Sequence, residues 1–179
     1  VSAFLLNRSS DLEITGSGGY GLYASNSLTV GVDANNTTVK VTATGKGSNA
    51  GIYAVSSDIV LTSANITATA ESGYAINAET GDLTIIGGSV NATANTENTN
   101  GSGLYAGGDI SVTDGCVLTA SGDKKGIVAD GGITIDGCEV TATGSTSEGL
   151  LSGSGDIVIK NTSNQENMKV TASGTSGNL

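Results

Sequence analysis

The residues with chemical potential in this chain fall into columns, one member per repeat, rather than into clusters. Tyr23, Tyr53 and Tyr105 each follow a Gly-Leu or Gly-Ile pair and precede an Ala. A row of such rings on one surface suits sugar, because a flat apolar face with a hydroxyl handle stacks on a pyranose; it equally makes a ladder between repeats. Asp58, Asp82, Asp109 and Asp156 each stand directly before an Ile or Leu at the start of an alternating segment. Stacked carboxylates repel by about 1 kcal/mol per neighbour in water, and calcium would offset that with hard oxygen coordination. Asp is also a natural turn residue that accepts backbone N–H groups, and no EF-hand or nonapeptide calcium motif is present.

Hydroxyls form a third set. Thr42 and Thr44, Thr67 and Thr69, and Thr141 and Thr143 alternate with apolar residues, with Asn91, Thr119 and Thr171 continuing one column and Thr93, Ser121 and Ser173 the other. A flat Thr-x-Thr array resembles the ice-binding face of solenoid antifreeze proteins, whereas Thr is also what an exposed strand face prefers. Cys116 and Cys138 lie 22 residues apart, each after an Asp-Gly pair. Their spacing is within disulfide range, but parallel Cβ vectors make the geometry poor. They read as two buried free thiols, which leaves the redox compartment open.

Columns need a periodic scaffold, and the sequence supplies one. The segment Gly21-Leu22-Tyr23-Ala24 returns at Gly51, Ala75, Gly103, Gly126 and Gly149. It is followed each time by an alternating pair such as Ile59/Leu61 or Ile133/Ile135, then by one such as Val41/Ala43 or Val140/Ala142. Leu12/Ile14 is expected to fill the third slot of an incomplete earlier turn. Each segment alternates with period two and is too short for a helix, so each reads as a strand. Three strands per unit in fixed order predict an all-β, right-handed, single-stranded parallel β-helix (a β-solenoid) of six to seven coils. At about 4.8 Å per coil the rod is roughly 30 Å long. Departures from the shortest period place three loops, at residues 31–38, 95–102 and 160–169, where insertions build binding surfaces.

Residues 1–179 read as one domain, expected to be a segment of a larger protein. Residues 1–10 are expected to be a lead-in, with 1–6 a candidate cap over the first coil. Residues 174–179 offer little to cover the last coil, so end-to-end self-association is the alternative. The 28 Gly and absent Pro accompany 37% apolar residues in register, which argues for folding rather than disorder. Seven basic against seventeen acidic residues give a net charge of −10, which argues against nucleic acid as a partner. The longest apolar runs, such as residues 3–6, are too short for membrane insertion or for the core of a signal peptide.

The segments Gly51-Ile52-Tyr53-Ala54, Gly132-Ile133-Thr134-Ile135-Asp136-Gly137-Cys138-Glu139-Val140-Thr141-Ala142-Thr143-Gly144 and Gly81-Asp82-Leu83-Thr84-Ile85-Ile86-Gly87-Gly88-Ser89-Val90-Asn91-Ala92-Thr93 resemble a bacterial repeat. They are similar to the pectate-lyase-like β-helices of extracellular proteins from Gram-positive bacteria, including a family named as carbohydrate-binding domains. The resemblance covers about residues 11–174. It implies an extracellular location, secreted or associated with the cell wall, contact with polysaccharide and, in some members, bound calcium.

Catalysis lacks its usual residues. The absence of His removes Ser–His, Cys–His and zinc-hydrolase chemistry. A calcium-dependent polysaccharide lyase needs a cationic side chain beside its carboxylates. Arg8 lies outside the repeats, Lys124 and Lys125 share a turn, and Lys40 and Lys160 have no acidic constellation around them. A glycosidase needs two facing carboxylates in a cleft, whereas these acids run in columns. The expectation is a non-catalytic, adhesin-like module that binds a polysaccharide or cell-surface glycan. A structural stalk of a surface protein is the alternative, ahead of ice binding or a lyase.

Overall fold

The computed structural model describes residues 12–31, 39–95 and 101–175. Among them every regular element is a β-strand, and no helix is long and apolar enough to cross a membrane. Strand β1 (Leu12–Gly18) leads. The first coil is β2 (Leu22–Ala24), β3 (Leu28–Gly31) and β4 (Val39–Gly45); the second is β5 (Ile52–Ala54), β6 (Ile59–Thr62) and β7 (Asn65–Ala70). The third is β8 (Tyr74–Ala78), β9 (Leu83–Ile86) and β10 (Ser89–Ala94); the fourth is β11 (Ser102–Ala106), β12 (Ile110–Thr113) and β13 (Val117–Gly122). The fifth is β14 (Lys125–Ala129), β15 (Ile133–Asp136) and β16 (Glu139–Gly144); the sixth is β17 (Leu150–Ser152), β18 (Ile157–Lys160) and β19 (Lys169–Gly174).

Equivalent strands pair in parallel into three sheets, as the repeat requires. First strands form a six-stranded sheet from β2 to β17, middle strands one from β3 to β18, and third strands a seven-stranded sheet from β1 to β19. The register sets like above like: Leu22, Ile52, Ile76, Leu104, Ile127 and Leu150 make one continuous column. β1 occupies the third-strand slot, but its register differs from the sequence expectation by two residues. Leu12 pairs with Val39 and Ile14 with Val41, so Gly16, not Ile14, stands at the position of Ala43. Val39 and Val41 are both apolar, and hydropathy alone does not separate the two alignments.

The inward residues of all three sheets merge into one core of stacked Ile, Leu, Val and Ala. Its two ends differ. At the first coil Ala24, Leu28 and Val30 are buried. In the sixth coil Ile157 and Ile159 are 43% and 49% exposed, while Ile133 and Ile135 directly beneath them are 1% and 0% exposed. Residues 176–179, expected to leave the last coil uncovered, lie outside the described residues. The expected cap at 1–6, and loop residues 32–38 and 96–100, lie outside the described residues.

An inward Ile is therefore worth what its two neighbouring coils bury. Ile85→Ala, in the third coil, is expected to lower the unfolding free energy by about 2–5 kcal/mol. Ile159→Ala is expected to cost less than about 1 kcal/mol, because much of that side chain is already in water. Urea unfolding of the two variants measures the difference, and equal losses would contradict the stacking.

Candidate functional site

The Asp column is built by the strand starts it precedes. Each carboxylate reaches one coil onward to the backbone N–H at its own position. Asp58 Oδ1 accepts from Asp82 N at 2.9 Å, Asp82 Oδ1 from Asp109 N at 2.8 Å, and Asp109 Oδ1 from Gly132 N at 2.7 Å. Carbonyls run the other way along the same edge, with Ile59 N donating to Asp82 O and Leu83 N to Asp109 O. Gly132 has no side chain to continue the series, and Asp156 stands at the same position of the next coil. Close approach explains why glycine precedes the capped position: a Cβ on Gly108 would collide with Asp82 Oδ1, and one on Gly131 with Asp109 Oδ1.

A hydrogen bond to a charged group contributes about 1.5–3 kcal/mol net. That exceeds the roughly 1 kcal/mol of repulsion between carboxylates about 4.8 Å apart in water. The column thus has a structural use as a ladder of backbone caps. Among the described residues no group of three or more His, Cys, Asp or Glu converges to hold a metal.

The Tyr column lies on the outer face of the first-strand sheet. Its register is Tyr23, Tyr53, Asn77, Tyr105, Val128 and Leu151. Two tyrosines that sequence reasoning passed over, Tyr20 and Tyr74, join it. Tyr20 stacks on Tyr53 with centroids 4.8 Å apart and planes 7° apart; Tyr74 stacks on Tyr105 at 4.8 Å and 26°. Tyr23 leans against both Tyr20 and Tyr53, at 5.2 and 5.7 Å. The Tyr53 hydroxyl donates to Glu79, and the Tyr105 hydroxyl donates to Asp130 Oδ2 at 2.8 Å.

One motif thus occurs twice. A tyrosine three places ahead of the column in one coil covers a column tyrosine in the next, whose hydroxyl is held by a carboxylate in the coil after that. Tyr20, Tyr53 and Glu79 form the first copy, and Tyr74, Tyr105 and Asp130 the second, two coils further along. The signal was present in the sequence, since Tyr20 and Tyr74 share the same offset from Tyr23 and Asn77. Burial, and after it the hydrogen bond to Asp130, pushes the Tyr105 phenol up to about 12; burial and Glu79 likewise raise Tyr53. Both therefore stay protonated donors at neutral pH. The rings most open to solvent are Tyr23 at 49% and Tyr20 at 38%. Between the two copies, Asn77 Oδ1 is buried and accepts no hydrogen bond from the protein.

The hydroxyl columns occupy the third-strand sheet in the expected register, with Thr15 and Ser17 extending them onto β1. Several hydroxyls bond to one another along the rod: Thr69 donates to Thr44 at 3.0 Å, Ser121 to Thr93 at 3.3 Å and Ser173 to Thr143 at 3.3 Å. Cys116 and Cys138 are free and buried, and burial pushes the Cys116 thiol up to about 12 and raises Cys138 too. The coil-six loop is fixed by Asp136, which accepts from Thr162 N at 2.8 Å and from its hydroxyl, and pairs with Lys160 at 3.7 Å. Those bonds hold the Asp136 carboxyl below the usual carboxylate range. An open groove of about 490 Å³ lies between this loop and the turns at Gly115 and Gly137, away from the tyrosines.

No family model, curated protein or solved structure matches this chain.

The ladder gives a direct test of what the carboxylates do. Asp82→Ala removes the acceptor for Asp109 N and is expected to destabilise by about 1–3 kcal/mol. Asp82→Asn keeps a carbonyl oxygen in place and should cost about half as much, since charge assistance roughly doubles such a bond. Thermal melts of both variants check the order, and an Asn variant as damaged as the Ala variant would contradict the capping role.

Proposed function

We propose that this chain is a non-catalytic module that binds an extracellular polysaccharide or cell-surface glycan through the outer face of its first-strand sheet. One observation carries the reading: all five tyrosines belong to that face or its leading edge, and neither other sheet has one. Aromatic rings are the side chains that give apolar contact area while keeping a polar handle. Here two of them are held in place by carboxylates, whose remaining oxygen capacity suits sugar hydroxyls. The repeat segments, with their resemblance to carbohydrate-binding β-helices, support the same reading and a secreted or cell-wall location.

A stalk or spacer is the second reading. It is favoured by how fully the ladders satisfy themselves: rings cover rings, and carboxylates cap neighbouring coils. Glycan-array binding of the protein and of a Tyr20→Ala/Tyr23→Ala double variant separates the two. The binding reading expects capture of at least one glycan class and about a tenfold loss in the variant, equivalent to about 1.4 kcal/mol. Unchanged binding in the variant would remove the tyrosine face, and no binding to any glycan would leave the spacer.

A further inference from the structure

The sixth-coil end of the rod carries a pattern of its own. Three of the six exposed large apolar side chains among the described residues, Ile157, Val158 and Ile159, fall in one strand, β18. That strand is the last of the middle-strand sheet, so among the described residues one of its backbone edges has no strand beside it. The coils before it show which groups lie on that edge. Leu28, Ile59, Leu83, Ile110 and Ile133 each donate their N–H onward, to the carbonyls of Asp58, Asp82, Asp109, Gly132 and Asp156. Ile157 is next in this register, while the carbonyls of Asp156 and Lys160 turn back to accept from Ile133 and Gly137. Peptide groups alternate sides along a strand, so the N–H and C=O of Ile157 and Ile159 face the open end and those of Val158 face the fifth coil. Such a row of unpaired groups is a template for another strand.

Shape and charge narrow what that strand is. The sixth coil's loop bends away from the open edge: Asn161, Ser163 and Gln165 lie against Gly137 in the fifth coil, and Gln165 also lies near Gly115 in the fourth. All three sheets end level in the sixth coil, at β17, β18 and β19, whereas at the other end β1 extends the third-strand sheet one strand beyond β2 and β3. A level end matches another level end rather than the stepped one, which selects a two-fold contact over head-to-tail stacking. The chain carries −10, but its sixth coil sets Asp156 and Glu166 against Lys160 and Lys169 and is neutral, with Lys169 standing over Glu139 in register.

We infer that the partner of this edge is a second copy of the same chain, β18 pairing antiparallel with its counterpart about a two-fold axis through Val158. In that register Ile157 lies opposite Ile159 of the second copy as the hydrogen-bonded pair that the outward peptide groups require, and Val158 meets its own counterpart as the non-hydrogen-bonded pair. The isoleucines stay on the core side, so the two open cores close on each other. On the outer face Asp156 meets Lys160 of the second copy, twice over. Lys160 Nζ is 3.7 Å from Asp136 in its own chain with its side chain 48% exposed, and an ammonium has three donors to share between two carboxylates. Only the register centred on Val158 pairs both isoleucines and both charges. The contact lies at the end of the rod and is independent of the tyrosine face.

Sedimentation equilibrium of the whole chain over a concentration series tests the assembly, and the expected largest species is a dimer of twice 17.5 kDa. Oxidation of a Val158→Cys variant should give a disulfide-linked dimer, because the non-hydrogen-bonded pair brings the two Cα atoms to about 4.5 Å. The unsubstituted chain, whose Cys116 and Cys138 are buried, is the baseline. Thr134→Cys, one coil beneath Val158, should not cross-link, since three coil spacings set it about 14 Å from its counterpart. Asp156→Lys should weaken dimerisation about tenfold although it makes the chain less negative, because each Lys160 would then face a cation. In dilute solution the ends separate and meet water, and the amides of Ile157 and Ile159 should gain exchange protection as concentration rises. A monomer at every concentration, with the end covered by another part of the chain, would overturn the inference. So would an open series of larger species, equal cross-linking at both cysteine positions, or an Asp156→Lys dimer as tight as the original. Glycan binding is measured separately and is not at stake in any of these outcomes.

Discussion

Everything in this molecule depends on parallel strands stacking without a shift in register, so that each residue lies on its own counterpart in the next coil. The arrangement is favourable for Ile on Ile and for Thr on Thr, since identical shapes pack and identical hydroxyls hydrogen-bond. It is unfavourable for charge, because a repeated acid becomes a column of like charges. The chain accommodates that by turning each Asp side chain along the rod. Asp58, Asp82 and Asp109 each take the next coil's N–H, and a glycine clears the space the carboxylate crosses. The recurrent Gly-Asp pair is thus one device, with the glycine serving the carboxylate of the coil before it.

With the core common to all three sheets, their outer faces are free to differ. The third-strand sheet shows hydroxyls, the edge of the middle-strand sheet carries the carboxylate ladder, and the first-strand sheet gathers the aromatic rings. Because every face is a ladder, a residue type introduced once per coil becomes a line along the rod, and one introduced every second coil becomes a ruler. The tyrosine motif is of the second kind. Its carboxylate partners, Glu79 and Asp130, follow the buried Ala of their own coils and so inherit the same two-coil spacing.

Much of this was legible in the sequence, for a definite reason. Period-two alternation and a recurring three-part segment fix strands, parallel stacking and column membership, so Tyr23, Tyr53 and Tyr105 fall into one column from the sequence alone. What escaped was contact between positions that are not equivalent. Tyr20 and Tyr74 precede the column by three residues, and each meets its partner only across a coil boundary. Lys160 looked isolated because its acid, Asp136, is 24 residues earlier in sequence although directly beneath it in the sheet. The register of β1 escaped for another cause: Val39 and Val41 offer two apolar alignments, and only the backbone chooses. Column chemistry was visible, then, while diagonal chemistry was not.

Stacking also predicts how stability is distributed along the rod, because a coil is held by both neighbours in the middle and by one at an end. Amide hydrogen exchange followed residue by residue measures this directly. The expected result is slowest exchange at the central ladder amides of Ile59, Leu83 and Ile110 and much faster exchange in β17 to β19, where Ile157 and Ile159 already meet water. Uniform protection from one end to the other, or faster exchange at the centre than in the sixth coil, would contradict an in-register solenoid.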